Sequence, residues 1–220
     1  IFTTALIIIF YITPELKSIG TALFASAGIL AAIIGFASQK AFSNIISGIF
    51  ILIFKPFRVN DVIEVGGGQK GIVEEITLRH TVIRNYENRR IIIPNSIISE
   101  ETIINSNIID SRIKKFIEFG VSYDSNLDLA KSIIQEEAQN HPLVIDIRTP
   151  EDIEKGNSKV AIRVISLGEY SITIRAYVWA TNNDDSFSIM CDLNESVKKR
   201  FDAVGIEIPF PYRTLVYKNK

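Results

Sequence analysis

Charge is nearly missing from the first quarter of this chain. Of its 24 basic and 25 acidic residues, only Glu15, Lys17 and Lys40 fall within residues 1–54. That scarcity excludes a water-facing surface there and separates a membrane part from a water-facing part. Cysteine is equally scarce. Cys191 stands alone, so no intrachain disulfide is available and a reducing compartment is expected for the second part. Cys191 lies in a predicted helix with no candidate base nearby, and a core position is expected for it. The two histidines, His80 and His141, are far apart with no clustered ligands, which supports neither a metal centre nor catalysis. Gly67, Gly68 and Gly71 are followed by no helix and no Gly-Lys-Ser/Thr word, so they read as turn glycines rather than a nucleotide loop. Residues 57–110 contain only Phe57 and Tyr86 as aromatics, too few to stack a single-stranded nucleic acid. A net charge of -1 argues against a general polyanion binder. No enzyme site and no cofactor are expected.

What the chain does hold is a stripe of small residues in an uncharged stretch. From Ser18 to Gln39 there is no charge. Within it Ala25, Gly28, Ala31 or Ala32, Gly35 and Ser38 recur three to four residues apart, so they share one helix face. Ala22–Gln39 as a helix spans roughly 27 Å, close to the hydrocarbon thickness of a bilayer. In lipid, small residues mark close approach to another helix; a buried core helix is the competing reading. Ahead of it, Ile1–Ile12 is apolar but too short to span alone, and it lacks the basic start and cleavage site of a signal peptide. It reads as the tail of a transmembrane helix whose earlier residues precede this sequence. A polar connector, Thr13–Gly20, then makes a hairpin with the long helix expected from near Thr21. Lys40, Lys55 and Arg58 follow that helix, against Lys17 before it, which places its C-terminal end in the cytoplasm.

Ala41–Phe54 is apolar again, separated by Lys40, Ser43 and Asn44. A kink at Gln39–Lys40 is predicted, with Gly48 as a second flexible point and Pro56 ending the helix. From Phe57 the pattern turns to short strands: Asp61–Val65, Gly71–Thr81, and a hairpin of Thr81–Arg84 and Arg89–Ile93 closed by Pro94. Residues 57–110 thus predict a small β-barrel. Residues 111–205 alternate as strand Lys114–Val121, helix Leu127–Asn140 (apolar at Leu129, Ile133 and Ile134), strands Val160–Leu167 and Ile172–Ala180, and helix Ser186–Ala203. That βαββα order predicts an α+β domain of ferredoxin-like type. Residues 206–220 read as an extended tail, a short C-terminal strand with no core of its own to join, pairing with copies from other subunits.

The words Ala25–Gly35, Gln39–Gly48, Lys55-Pro56-Phe57-Arg58, Ile93-Pro94-Asn95 and Asn105-Ser106-Asn107 resemble those of the small-conductance mechanosensitive channel (MscS) family. The resemblance implies a homoheptamer in the cell (inner) membrane, with several membrane passes and cytoplasmic C-terminal domains. Its pore is ringed by the small-residue helices, where Ala25, Gly28, Ala31 and Gly35 pack on their neighbours. Tension from the membrane lipids opens it, and ions and small solutes leave during hypo-osmotic shock; nucleic acid is not a partner. The family places bulky apolar residues three and seven positions before the glutamine. Here those positions are Phe36 and Ala32. Phe36 is the expected gate, with an ordinary packing aromatic as the alternative. Ala32 departs from the pattern and cannot seal a wide pore, so Ile33, or Ile29 a turn higher, takes its place if the helix is rotated. Lys40 stands where the family often has glycine. It either forms a cationic ring at the inner pore mouth or snorkels to lipid head groups. A membrane-anchored oligomeric scaffold without significant conductance is the rival reading.

Overall fold

The computed structural model describes residues 1–211 and residue 213. The chain divides into two compact units, residues 1–105 and 106–220.

The first unit opens with helix α1 (Phe2–Ile12), joined through the single residue Thr13 to helix α2 (Pro14–Phe54). The expected connector is therefore a correction: residues 14–20 are the first turns of α2. Pro14 sits at the start of that helix, where its missing N–H costs nothing and its φ is already helical. Leu6 and Ile7 of α1 face Gly20, Leu23, Phe24 and Ala27 of α2 across a shallow apolar groove. At the expected kink the helical pattern is unbroken. α2 runs without interruption through Gln39, Lys40 and Gly48 to Phe54, 41 residues in all. With Lys40 in place of a glycine, Ala37–Ala41 is made of residues that hold a helix, and nothing there removes a backbone hydrogen bond. The helix ends where expected. Lys55 turns into the left-handed region (φ 51°), its N–H closing on the Ile51 carbonyl at 2.9 Å, and Pro56 follows.

Next come strands β1 (Val62–Val65), β2 (Gln69–Ile76), β3 (His80–Arg84) and β4 (Arg90–Pro94), short helix α3 (Asn95–Glu100) and β5 (Ile103–Asn105). They form one antiparallel sheet in the order β4-β3-β2-β1-β5. The Gly66 and Gly67 turn takes positive φ, which explains those glycines, whereas Gly71, expected in the turn, lies within β2, where a Cβ would fall on the Arg84 carbonyl. Phe57, Ile63, Val73, Ile83 and Ile98 fill the core beneath the sheet. Asn105 Nδ2 donates to the Pro56 carbonyl at 3.1 Å and to Asp61 Oδ2 at 2.9 Å, tying the last strand to the segment that leaves α2.

In the second unit, β6 (Ile113–Val121), β7 (Ala161–Leu167) and β8 (Ile172–Ala180) lie in the order β6-β8-β7, with β8 antiparallel to both. This is a split β-α-β arrangement. Helices α4 (Leu127–Asn140) and α6 (Asn183–Val204) bury one sheet face over Ile133, Ile134, Ile174, Leu193, Val197 and Phe201. A short helix, α5 (Pro150–Glu154), begins on a Thr149–Asp152 capping box that went unread in the sequence. Three expectations are corrected here. Leu129 is exposed, and the buried face of α4 is Ala130, Ile133, Ile134 and Ala138. Cys191 is exposed rather than in the core. The tail does join a core at its start: Ile206 is buried, and the Glu207 carbonyl accepts from Ser122 N–H at 2.9 Å. Residues 206–211 form no strand, and the rest of the expected C-terminal strand, residue 212 and residues 214–220, lies outside the described residues.

Candidate pore helix and its seat on the sheet

α2 has three faces with different fates. An α-helix turns about 100° per residue, so Asn44, Gly48 and Ile51 share one side of it. That side is fixed to the sheet. Asn44 Oδ1 accepts from the Ser96 N–H at 3.0 Å and from Ser96 Oγ at 2.9 Å. It thereby caps the free first turn of α3, while its own Nδ2 donates back to the Lys40 carbonyl at 2.9 Å. Gly48 is buried against the turn between β2 and β3. A Cβ there would fall on the Leu78 carbonyl oxygen and 2.6 Å from Asn95 Nδ2. Ile51, 4% exposed, enters the core of the sheet domain. Gly48 is thus a close-contact glycine, not a point of flexure, which corrects the expectation for it.

Asn95 is the other half of this seat. Fully buried, it donates from Nδ2 to the Thr77 carbonyl at 2.8 Å and accepts at Oδ1 from Thr81 Oγ1 at 2.9 Å. Its N–H donates to the Arg79 carbonyl at 3.0 Å. Its N–H and both side-chain polar atoms are hydrogen-bonded, so the turn that receives Gly48 is held rigidly. The sequence signal was Ile93-Pro94-Asn95, read as a hairpin end; its contact with the helix was not readable.

A second face of α2 carries an open groove of about 680 Å³. Ala32, Gly35, Phe36, Gln39, Ser43 and Phe50 are among its lining residues. The structure therefore brings together Ala32, Phe36 and Gly35, and sets Gln39 beside them. Ile33 is not in the groove and lies about 60° round the helix from Phe36. A Cβ on Gly28 or Gly35 would meet nothing within 4 Å. Ala25 and Ala31 are exposed as well. Phe36 is 78% exposed. An aromatic side chain left in water forgoes about 1.5–3 kcal/mol of burial, so this face calls for a cover outside one chain. Phe42 and Ile46 line the groove as well, and a third face, with Ile45 and Ile49, is apolar and exposed too.

Among the described residues, only residues 18–54 form a helix long and apolar enough to cross a membrane. The uncharged part, Ser18–Gln39, measures about 33 Å at 1.5 Å per residue, against a hydrocarbon core of about 30 Å. Perturbed ionisable groups lie away from this helix. The Arg90 guanidinium holds the Glu74 carboxyl below its ordinary range, and Arg148 brings Asp146 down to about 2. Both are surface ion pairs on strand and loop, and they make no site. No group of three metal-ligating side chains occurs among the described residues.

Residues 40–108 match the family described as "Mechanosensitive ion channel, beta-domain", and residues 117–208 match "Mechanosensitive ion channel MscS, C-terminal". Helicobacter pylori has a relative named small-conductance mechanosensitive channel, 31% identical over 221 residues. That alignment covers 99% of this chain and 76% of the relative. Methanocaldococcus jannaschii has small-conductance mechanosensitive channel MscMJ, 34% identical; 98% of this chain aligns, but only 59% of the relative. Among solved structures, the closed-state crystal structure of H. pylori MscS superposes with a TM-score of 0.79 at 26% identity. It covers 91% of this chain and 74% of that one.

Proposed function

The chain belongs to the MscS family of mechanosensitive channels, and from that premise we propose that it forms a tension-gated pore in the cell membrane. α1 and the first half of α2 make a membrane hairpin, and both water-facing units lie in the cytoplasm. Copies of the chain, seven by family likeness, set their α2 helices in a ring. Gly28, Ala31 and Gly35, with Ala25, pack against the neighbouring helix and let it slide as the ring widens. Phe36 closes the pore: a ring of phenyl groups excludes water and so blocks ions without a plug. Ala32 is too small to add a second barrier, and Ile33 serves as the gate only if the helix is rotated. Opening releases ions and small solutes during hypo-osmotic shock. No cofactor enters this reading.

One observation carries it. The face holding Ala32, Gly35 and Phe36 is open in a single chain, while the next turns of the same helix are locked to the sheet. A pore helix needs both properties: a face completed by its neighbours and a fixed attachment to the part in water. The test is single-channel recording from full-length protein in liposome patches under suction. Current that appears with tension and vanishes on release is expected. A protein that assembles and inserts but never conducts at any sub-lytic tension would be the anchored scaffold instead.

A further inference from the structure

We propose that Lys40 sets the charge preference of this pore, favouring small anions. The inference rests on the channel reading above. Because α2 is continuous from Ile33 to Asn44, the direction of Lys40 relative to the gate is fixed by helix geometry. Phe36 and Lys40 are four residues apart, which is about 40° round the helix and about 6 Å deeper. From Ile33 to Lys40 is seven residues, about 20° round and about 10 Å deeper. Whichever bulky residue closes the pore, Lys40 projects on the same side just below it.

The alternative, a lysine turned outward to lipid, meets the geometry badly. Away from the groove, the exposed apolar residues of this part of α2 include Ile45 and Ile49. Their mean direction lies about 160° from Lys40 on the helical wheel. On the wheel Lys40 lies about 40° from Asn44 and about 20° from Ile51, but it sits a turn before the level where those side chains meet the sheet, so the sheet leaves it uncovered. Lys40 itself is exposed, and among the described residues no ion pair involves it. It is the first charge after the 22-residue run from Ser18, at the level where water begins. A charge there escapes the insertion cost of about 2.5–3.5 kcal/mol at a bilayer centre. A ring of unpaired ammonium groups raises the local concentration of anions at the mouth and repels cations.

The test compares full-length wild type, Lys40→Arg, Lys40→Gln and Lys40→Glu in liposome patches under suction with asymmetric KCl. Wild type and Lys40→Arg should reverse on the anion side, and Lys40→Gln near neutral. In Lys40→Glu the anion-to-cation permeability ratio should fall by on the order of threefold or more at ~0.1 M salt, and far less at ~1 M, where screening reaches only about 3 Å. Loss of tension-gated current in wild type would sink the channel reading itself. Gated current with the same reversal potential in Lys40→Glu at every salt would overturn this inference alone. Should Lys40→Glu not assemble, Lys40→Cys in a Cys191→Ser background supplies the second readout. A cationic thiosulfonate should then restore anion preference and an anionic one reverse it. Equal responses to the two reagents would equally overturn the proposal.

Discussion

Gly48→Ala separates two views of how α2 works. If Gly48 were a hinge, alanine would stiffen the helix and stabilise it by roughly 1 kcal/mol through helix propensity. The structure requires the opposite. The added methyl would meet the Leu78 carbonyl oxygen, with the Leu78 carbonyl carbon at 2.9 Å and Asn95 Nδ2 at 2.6 Å. Two of these are backbone atoms and the third belongs to a fully buried amide holding Thr77 and Thr81, so none can swing aside. Overpacking of this kind costs about 1–3 kcal/mol, and loosening the Asn95 bonds adds about 1–3 kcal/mol. Against the propensity gain, a net loss of about 1–5 kcal/mol is expected at the seat, or roughly 5-fold to 5,000-fold in how often helix and turn stay docked. Hydrogen exchange at residues 77–81 and 95–98 reads this directly in the full-length protein, and faster exchange is expected there. Gly28→Ala is the control, since its Cβ meets nothing within one chain. Unchanged or slower exchange in Gly48→Ala would refute the close-contact account and restore the hinge.

Phe36→Ser should wet the constriction and give current, or growth inhibition, without applied tension; Ile33→Ser should not. The reverse outcome would move the gate to Ile33 and rotate the proposed pore face. Gly35→Leu puts a bulky side chain on an open face, so it should hinder ring closure and shift the gating tension, which patch recording measures. Gating at unchanged tension would remove Gly35 from the packing interface. Asn44→Ala deletes the two bonds to Ser96 and uncaps α3, costing about 1–3 kcal/mol. Exchange at Ser96–Ile98 should rise selectively, and no change there would mean that water replaces Asn44 fully.

How much of this was legible depended on the range of the interaction. The alternation of Val62–Val65 and the turn glycines placed β1 and β2, because strand pattern and turn chemistry are local. The ends of α2 were less readable. Pro56 announced the C-terminus correctly, while Pro14 looked like a break and is the helix start, since proline fits N1 as well as a loop. The kink at Gln39–Lys40 was expected because one straight helix to Phe54 is too long for a bilayer, but the excess length serves to seat the helix on the sheet, and Lys40 keeps good helix propensity. Gly48 was misread because a glycine's neighbours 30 and 47 positions away, Leu78 and Asn95, leave no mark on its own sequence context. Asn44 and Ser96 are polar residues in apolar company, a signal for a long-range bond, but nothing in the sequence names the partner. Cys191 looked apolar and proved exposed because α6 buries Ile189, Leu193 and Val197, a stripe that passes it by.

The attachment of α2 constrains where motion can occur. Asn44, Gly48 and Ile51 fix about two turns of the helix to the sheet through hydrogen bonds, a backbone contact and core burial. Any change in the tilt of the uncharged part must then be absorbed above Asn44, in Gln39–Ser43. No proline or glycine weakens that turn, so bending it means stretching intact i→i−4 bonds. Each such bond contributes about 0.5–1.5 kcal/mol net, so a bend that breaks one or two adds about 0.5–3 kcal/mol to the opening free energy of each chain. Putting glycine at residue 40 would lower that cost and also remove the charge, whereas Ala41→Gly lowers it and leaves Lys40 in place. Ala41→Gly should therefore shift the tension of opening while the reversal potential stays as in wild type. A channel whose reversal potential moved with Ala41→Gly would mean that helix bending, not the Lys40 charge, governs which ions pass.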